Sequence, residues 1–574
     1  MKPLRFFLII SLITGLSSAL LAQINVFPSI PDWQSLPQGN FSTGLGIADI
    51  NQDGWDDIIV ANGNDMARQK LVVYYNNGDG TFPVAPSWSG SIDDYHGHLS
   101  VGDINGDNLP DVAVSVFLGP AGFSQPGRVK VYLNQGTQLE STPSYQSSDN
   151  MYTFSCALGD ADGDGDLDLA VACGEPYGGV LSAGKIYYNQ NGVLDPLPGW
   201  TSAVTMSALD VDFADMDNNG FLDLIFAAHH TPNYIFLADS AGNISTQPSW
   251  HSGDNSYYAN SLTVAHIDDN PILDLVVSDN NQLGGSGKFK AYLFNQTPAG
   301  QHLPGWYSTS GGYGSAVLAE DITGDGLVDL IAGRWWGRVY IYPGSLGSFT
   351  PSYVWASNTN SVVEAYALRD LDQDGWILQQ DLIPIVRDSI RVVYLSEQAV
   401  ERLMMVQLNG DTLHPVVDYY SLPGGQWISF TSPLMAGDQL LVEYIISRDR
   451  DLVVTNWDSN IGNYIFYNQT NPVAISGQPP IPRQAELAVF PNPFNQSCQF
   501  QLELPAAVQI KLEIFDATGR KITTITDGFV AAGSHRFPWN GTTDRGVELA
   551  SGMYFLRMIA AGRQVAVKKI LLMR

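Results

Sequence analysis

The chain predicts an all-β protein: a seven-bladed β-propeller with a small β insert in its seventh blade and a C-terminal Ig-like β-sandwich. Three observations carry that reading. An acidic loop, D-x-[DN]-x-[DN]-G-x-x-D or a close relative, recurs roughly every 55 residues, starting at Asp49, Asp103, Asp160, Asp215, His266, Asp321 and Asp370. A β-branched strand follows each of the first six loops, as in Asp57-Ile-Ile-Val and Asp168-Leu-Ala-Val. A Pro-x-Trp or Pro-x-Tyr also recurs in step, at Trp33, Trp88, Tyr145, Trp200, Trp250, Trp306 and Tyr353. With a further strand such as Lys70-Leu-Val-Val-Tyr-Tyr in between, each unit carries about four short strands and no helical pattern. Four strands per repeat suit a propeller blade, and closing the ring removes the exposed edges that a linear stack would leave.

The seventh unit is split. After Asp370-Leu-Asp372-Gln-Asp374-Gly375 the expected strand is missing, and it returns as Asp451-Leu-Val-Val. Residues 376–450 therefore read as a β-rich insert between the two ends of one loop, where insertion is best tolerated. Asn409-Gly410 inside it is a hairpin signal. A helix-loop-helix calcium site over 370–381 is the runner-up for this stretch. The strand near Trp33 is expected to supply the last blade's outer strand. The predicted organisation is 1–22 signal peptide, 23–375 and 451–471 propeller, 376–450 insert, 472–485 linker and 486–574 C-terminal sandwich.

Charge and targeting bound the function. There are 58 acidic and 28 basic residues, a net charge of −30, which argues against nucleic acid and anionic membrane partners. Three cysteines cannot form a disulfide scaffold. Lys2 and Arg5 precede an apolar run ending in small residues near Ala22, as in a secretory signal. No later segment is apolar enough to span a membrane as a helix. The expected location is secreted or at the outer cell surface.

The acidic loops predict calcium. This ion prefers six to eight hard oxygen ligands, and alternate residues of a tight loop can turn their oxygens inward together. The predicted ligands are Asp49, Asn51, Asp53 and Asp57; Asp103, Asn105, Asp107 and Asp111; Asp160, Asp162, Asp164 and Asp168; Asp215, Asp217, Asn219 and Asp223; Asp321, Thr323, Asp325 and Asp329; and, in the seventh loop, Asp370, Asp372 and Asp374. The loop at His266 has Pro271 in place of Gly and is expected to be weak or empty.

These repeats resemble the FG-GAP and VCBS repeat families, calcium-loop propellers also seen at the head of integrin α chains. The acidic loops carry the likeness; the Phe-Gly and Gly-Ala-Pro signatures are absent, which favours the VCBS-like branch. The C-terminal segment, with Phe490-Pro-Asn-Pro-Phe-Asn, the turn Asp516-Ala-Thr-Gly-Arg520 and Gly552-Met-Tyr-Phe, resembles the sorting domain of type IX secretion substrates. That likeness implies a bacterial outer-membrane translocon as partner.

No catalytic set is recognisable. Gly284-Gly-Ser-Gly-Lys288 lacks phosphate-loop spacing, and no His-Glu-x-x-His occurs. The expectation is a non-catalytic adhesion or ligand-binding protein for an extracellular carbohydrate or protein, the alternative being a polysaccharide lyase or hydrolase on the same scaffold. Loops at the end opposite the acidic loops carry Phe117, Phe123, Tyr177, His229, His230, Trp335, Trp336 and Trp457, which suit a sugar ring or a protein hot spot. Trp335 and Trp336, read as consecutive strand residues, are expected to point to opposite sides.

Overall fold

The computed structural model describes residues 26–254, 257–268, 270–282, 284–469, 486–495, 497–504, 508–516, 520–530, 533–543, 547–560 and 563–574. The signal-peptide and linker assignments lie outside the described residues. Among those described every regular element is a strand, and no helix is long and apolar enough to cross a membrane.

The acidic loops organise the first sheets. Each lies between two antiparallel strands of one unit: Ser42–Ala48 with Asp57–Asn62, Tyr95–Gly102 with Asp111–Gly119, Thr153–Gly159 with Asp168–Glu175, and so on to Gly314–Glu320 with Asp329–Arg334. A third and fourth strand complete each four-stranded unit. Units three and four share one long strand, Trp200–Ala214, whose first part pairs with Val180–Tyr187 and whose second part pairs with Asp223–His229. In the seventh unit Val363–Arg369 pairs with Asp451–Asn456, Arg369 facing Asp451 across the inserted segment. Its fourth strand is Trp33–Gln34, with Trp33 opposite Ile465. First strands of successive units touch, and that of unit seven touches that of unit one.

These strands are buried on both faces, as the runs Ile58-Ile-Val-Ala and Leu169-Ala-Val-Ala require: they sit between neighbouring sheets, and the core lies in the gaps. The fourth-strand aromatics join one unit to the next. Trp33 Nε1 donates to the Phe82 carbonyl at 3.0 Å and Trp200 Nε1 to the Ile244 carbonyl at 3.0 Å. In unit six the residue in that register is Trp355, opposite Ile341, whereas Tyr353 of the Pro-x-Tyr marker is half exposed.

The inserted segment folds into two sheets of its own around Val406, Ile428, Leu440 and Tyr444. Trp376–Pro384 is a strand paired with Gln439–Ser447, so the helix-loop-helix alternative does not hold. Its twelfth-position carboxylate, Asp381, instead accepts the Ser396 and Tyr444 hydroxyls. Asn409 and Gly410 turn a hairpin with φ of 54° and 92°, the left-handed pair that an Asn-Gly turn requires. At the C-terminus a three-stranded and a four-stranded antiparallel sheet enclose Phe500, Leu502, Leu512, Ile514 and Leu556. Cys156, Cys173 and Cys498 are free and buried.

Candidate metal centres and ligand face

Six of the seven loops share one hydrogen-bond frame, and the His266 loop keeps only its ninth-position part. In the first, Asp49 accepts the N–H groups of Asp53 at 3.0 Å and Gly54 at 2.9 Å. Asp57, nine-tenths or more buried, takes the Ile50 N–H on one oxygen at 3.0 Å and the Asn76 N–H on the other at 2.9 Å. The same two-handed clamp recurs at Asp111, Asp168, Asp223, Asp274 and Asp329. In the seventh unit the clamp is Asp451, on Leu371 and Asn468, each at 2.9 Å. Asp451 is missing from the sequence-predicted ligand set, although its orphan strand is the signal that could place it. The ninth position thus has a structural duty in every unit, including the His266 loop, where the imidazole Nδ1 faces the Ile272 carbonyl at 3.3 Å.

Three loops bring carboxylates together. Asp160, Asp162 and Asp168 offer oxygens all within 4.8 Å of one another, as do Asp215, Asp217 and Asp223, and Asp370, Asp372 and Asp374. Asp160 Oδ1 and Asp217 Oδ1 are buried and have no hydrogen-bond partner among the described residues. Burial pushes Asp160, Asp162 and Asp215 up to about 6, and lifts Asp168, Asp223 and Asp370 well above the usual carboxylate range. These crowded, dehydrated oxygens only accept hydrogen bonds, and Arg387 beside Asp215 and Asp217 and Arg391 beside Asp164 offset their charge only in part, so a hard oxygen-seeking cation would supply the remaining counter-charge. The donor set fits calcium. In loops one, two and six, no three carboxylates among Asp49, Asp53, Asp57; Asp103, Asp107, Asp111; or Asp321, Asp325, Asp329 converge as closely. Asn51 and Asn105 there cap the N–H groups of Asp53 and Asp107, while the Thr323 hydroxyl is buried with no partner among the described residues. Asn108, at the Gly position, takes φ 65°. One predicted ligand points elsewhere: Asn219 Oδ1 accepts from Phe221 N–H and its Nδ2 donates to the Ala238 carbonyl. Asp164 accepts the Asp166 N–H and stays beside Asp162.

The inserted segment lies over these loops. The Ser429 hydroxyl donates to Asp160 Oδ2 at 2.6 Å, the Tyr394 hydroxyl accepts the Asp215 N–H at 3.1 Å, and the Gly220 carbonyl accepts from Arg391 and Val392 N–H. Between it and the first two loops is a cavity of about 460 Å³ lined by Asp49, Asp56, Asp103, Glu401, Arg402 and Tyr420.

At the other end, all seven units meet around a cavity of about 40 Å³, with Asn64, His98, Tyr177, Leu209, Asn260, Trp335 and Glu364 each from a different unit. Glu364 Oε2 accepts the Trp335 indole N–H at 2.6 Å and Oε1 the Asn64 amide at 3.2 Å; burial pushes its carboxyl up to about 7. His229 lines the same cavity but is 2% exposed, its Nε2 on Asn260 Oδ1 at 2.7 Å, and burial lowers it to about 4. It is thus a wall of the cavity, not a surface group. His230 bonds the Pro176 carbonyl at 2.7 Å. Phe117 is fully buried against Phe154, their rings 4.0 Å apart. Trp335 and Trp336 follow strand Asp329–Arg334 and lie in a turn, Trp336 at φ 50°, so strand alternation does not apply to them. Trp336 is 49% exposed, Tyr177 48% and Phe123 50%, forming aromatic ground on both sides of the cavity. Trp457 is half-buried between Phe41 and Trp336. Glu364, His98 and Asn64 are absent from the sequence-predicted site.

The described residues are all-β, and two stretches of the chain, residues 34–114 and 116–171, match the FG-GAP-like repeat family, while residues 492–563 match the FlgD Ig-like domain. Human integrin alpha-7 (Homo sapiens) is 35% identical over 146 residues, and the rat protein (Rattus norvegicus) 34%. Those matches cover 23% of this chain and only 12% of each integrin. Among solved structures, BBS1N from its complex with ARL6DN aligns with 13% identity over 61% of this chain and 91% of its own, at a TM-score of 0.38. PorZ, a type-IX secretion system surface component of Porphyromonas gingivalis, aligns with 12% identity over 92% of this chain and 65% of its own, at a TM-score of 0.30.

Proposed function

We propose that the chain is a secreted or cell-surface bacterial seven-bladed β-propeller that binds calcium in its acidic loops and, without catalysis, a carbohydrate or protein ligand on the opposite face. Its C-terminal sandwich acts in this reading as a type IX sorting domain. The observation that carries it is the convergence of all seven units on one small polar cavity flanked by half-exposed aromatic rings. Rings such as Trp336 and Tyr177 offer apolar faces beside Asn64, Asn260 and Glu364, the mixture that a sugar or an aromatic hot spot needs. Calcium acts at a distance from that face: where the carboxylates converge it neutralises the loop and holds the first and second strands of that unit in register. At the cavity Glu364 is held by Trp335 and Asn64, and Asn260 by His229, an arrangement that suits binding more than proton transfer. A glycan and matrix-protein binding screen, with and without calcium, tests the reading. Binding to one class that Trp336→Ala weakens supports it. Turnover of a polysaccharide, or no binding to any member, counts against it.

A further inference from the structure

We infer that the seventh acidic loop is a divalent-cation site built from both sides of the inserted segment, with Asp449 as a ligand that the repeat pattern does not contain. The inference rests on the calcium reading of the loops and adds to it a site of different construction. Six loops are continuous in sequence. The seventh is not: its ninth-position carboxylate, Asp451, comes back to the Leu371 N–H from the far side of the insert. Asp370, Asp372 and Asp374 already hold oxygens within 4.8 Å of one another. Ser447, at the end of the insert's last strand, donates its hydroxyl to Asp370 Oδ2 at 2.8 Å.

Asp449 is the independent observation. It is 6% exposed, and its Oδ1 has no hydrogen-bond partner among the described residues. Its carboxylate lies within hydrogen-bonding reach of that of Asp374. Two acceptor-only groups at that range need a proton or a cation between them. The neighbouring Arg450 guanidinium does not serve, because it is engaged by Glu320 and Glu401. The two limbs are also pressed together: a Cβ built at Gly375 would lie 2.5 Å from Asp449 Cβ. At the next residue the paired root of the insert begins, with Trp376 opposite Ser447. A calcium ion held by Asp370, Asp372, Asp374 and Asp449 would therefore tie the outgoing limb to the returning one, and its loss would loosen the insert at its root.

The test is equilibrium dialysis of the full chain against calcium alone, counting ions per chain, together with hydrogen exchange over 376–384 and 439–447. Asp449→Asn is expected to bind one ion fewer than the wild type and to exchange faster in those two strands. Asp162→Asn, in the third loop, is expected to leave exchange there unchanged. If Asp449→Asn does not fold, Asp374→Asn removes the facing carboxylate at an exposed position and is read in the same way. A folded Asp449→Asn or Asp374→Asn chain that keeps every ion and wild-type protection overturns this inference alone. A wild-type chain that binds no calcium overturns the calcium reading of all the loops and this inference with it.

Discussion

The Asn76 side-chain amide donates to the main-chain carbonyl of Leu371 at 3.0 Å, joining the first unit to the seventh across 295 residues of sequence. Asn134 and Asn189 make the same bond to Ile50 and Ile104, each one unit back. The acceptor in every case is the second residue of an acidic loop, whose N–H is held by that loop's ninth-position Asp. One loop residue is thus bonded by its own unit on one side and by the next unit on the other. Asn76→Ala leaves the buried Leu371 carbonyl without this donor, so a loss of about 1–3 kcal/mol is expected. Urea unfolding of the variant beside Asn134→Ala checks it. Equal losses would mean that the contact between first and last units is as tight as that between units adjacent in sequence.

Removing calcium with a chelator is expected to lower the melting temperature. A ligand that binds only the native state at a hundred times its Kd adds about 2.7 kcal/mol per site. The loops with converging carboxylates carry most of the effect, so Asp160→Asn or Asp215→Asn should shrink the calcium-dependent shift more than Asn51→Ala. Calorimetry with and without chelator measures this, and identical melting curves would contradict it.

Much of this arrangement is legible in the sequence because turn chemistry is local. Asp, Asn and Gly at fixed offsets are enough to name each loop, and Asp451 announces a broken unit by starting a strand with no loop before it. The missed parts are those where distant segments converge. Glu364, in Val362-Val-Glu-Ala-Tyr, has the pattern of a solvent-facing strand residue and becomes a cavity-lining group only because residues of all seven units converge there. His229 and His230 look alike as neighbours, yet only His229 is sealed in, by an Asn 31 residues away. Nor does sequence show that the insert folds back over the third and fourth loops rather than away from them.

Deletion of residues 376–447 is expected to leave the repeats folded but less stable. The first and second strands of unit seven pair without the insert, from Arg369 opposite Asp451 to Val363 opposite Asn456. The loss arises at the loop face, where Asp160 would lose the Ser429 hydroxyl and Gly220 two N–H donors. Ser429→Ala isolates one of these bonds, at a cost of about 1–3 kcal/mol. A shortened chain that fails to fold even with calcium would show that the insert is needed for assembly of the unit.

Glu364 should leave a mark on the pH dependence of stability. Burial raises its carboxyl from 4.5 in the unfolded chain to about 7 in the folded one, so the folded state favours the protonated form. Below 4.5 the group is protonated in both states and costs nothing; as pH rises towards about 7 the unfolded chain ionises first and stability falls, levelling off above that. His98 and Asp65 face the same group and act in opposite senses. With calcium saturating, Glu364→Gln is expected to flatten this decline. Unfolding midpoints across the range check it, and an unchanged slope would assign the decline to other groups.

The ligand face is best tested at Trp336. Its ring is 49% exposed, at 5.6 Å from Tyr313 and 6.5 Å from Trp457 in edge contacts, so truncation removes a platform without opening a core. The stability cost should stay near about 1 kcal/mol, the worth of such ring pairs. Trp457→Ala costs more, because that ring is wedged between Phe41 and Trp336. If the face binds through its aromatic ground, Trp336→Ala should lose about 2 kcal/mol of affinity, roughly thirtyfold in Kd, for whichever glycan or protein the screen identifies. Glu364→Gln separates the two parts of the site: a ligand reaching the axial cavity responds to both variants, and one resting on the rim responds to Trp336→Ala alone. Isothermal titration of the three variants decides this. A ligand whose affinity is untouched by Trp336→Ala and Trp457→Ala alike binds elsewhere on the chain.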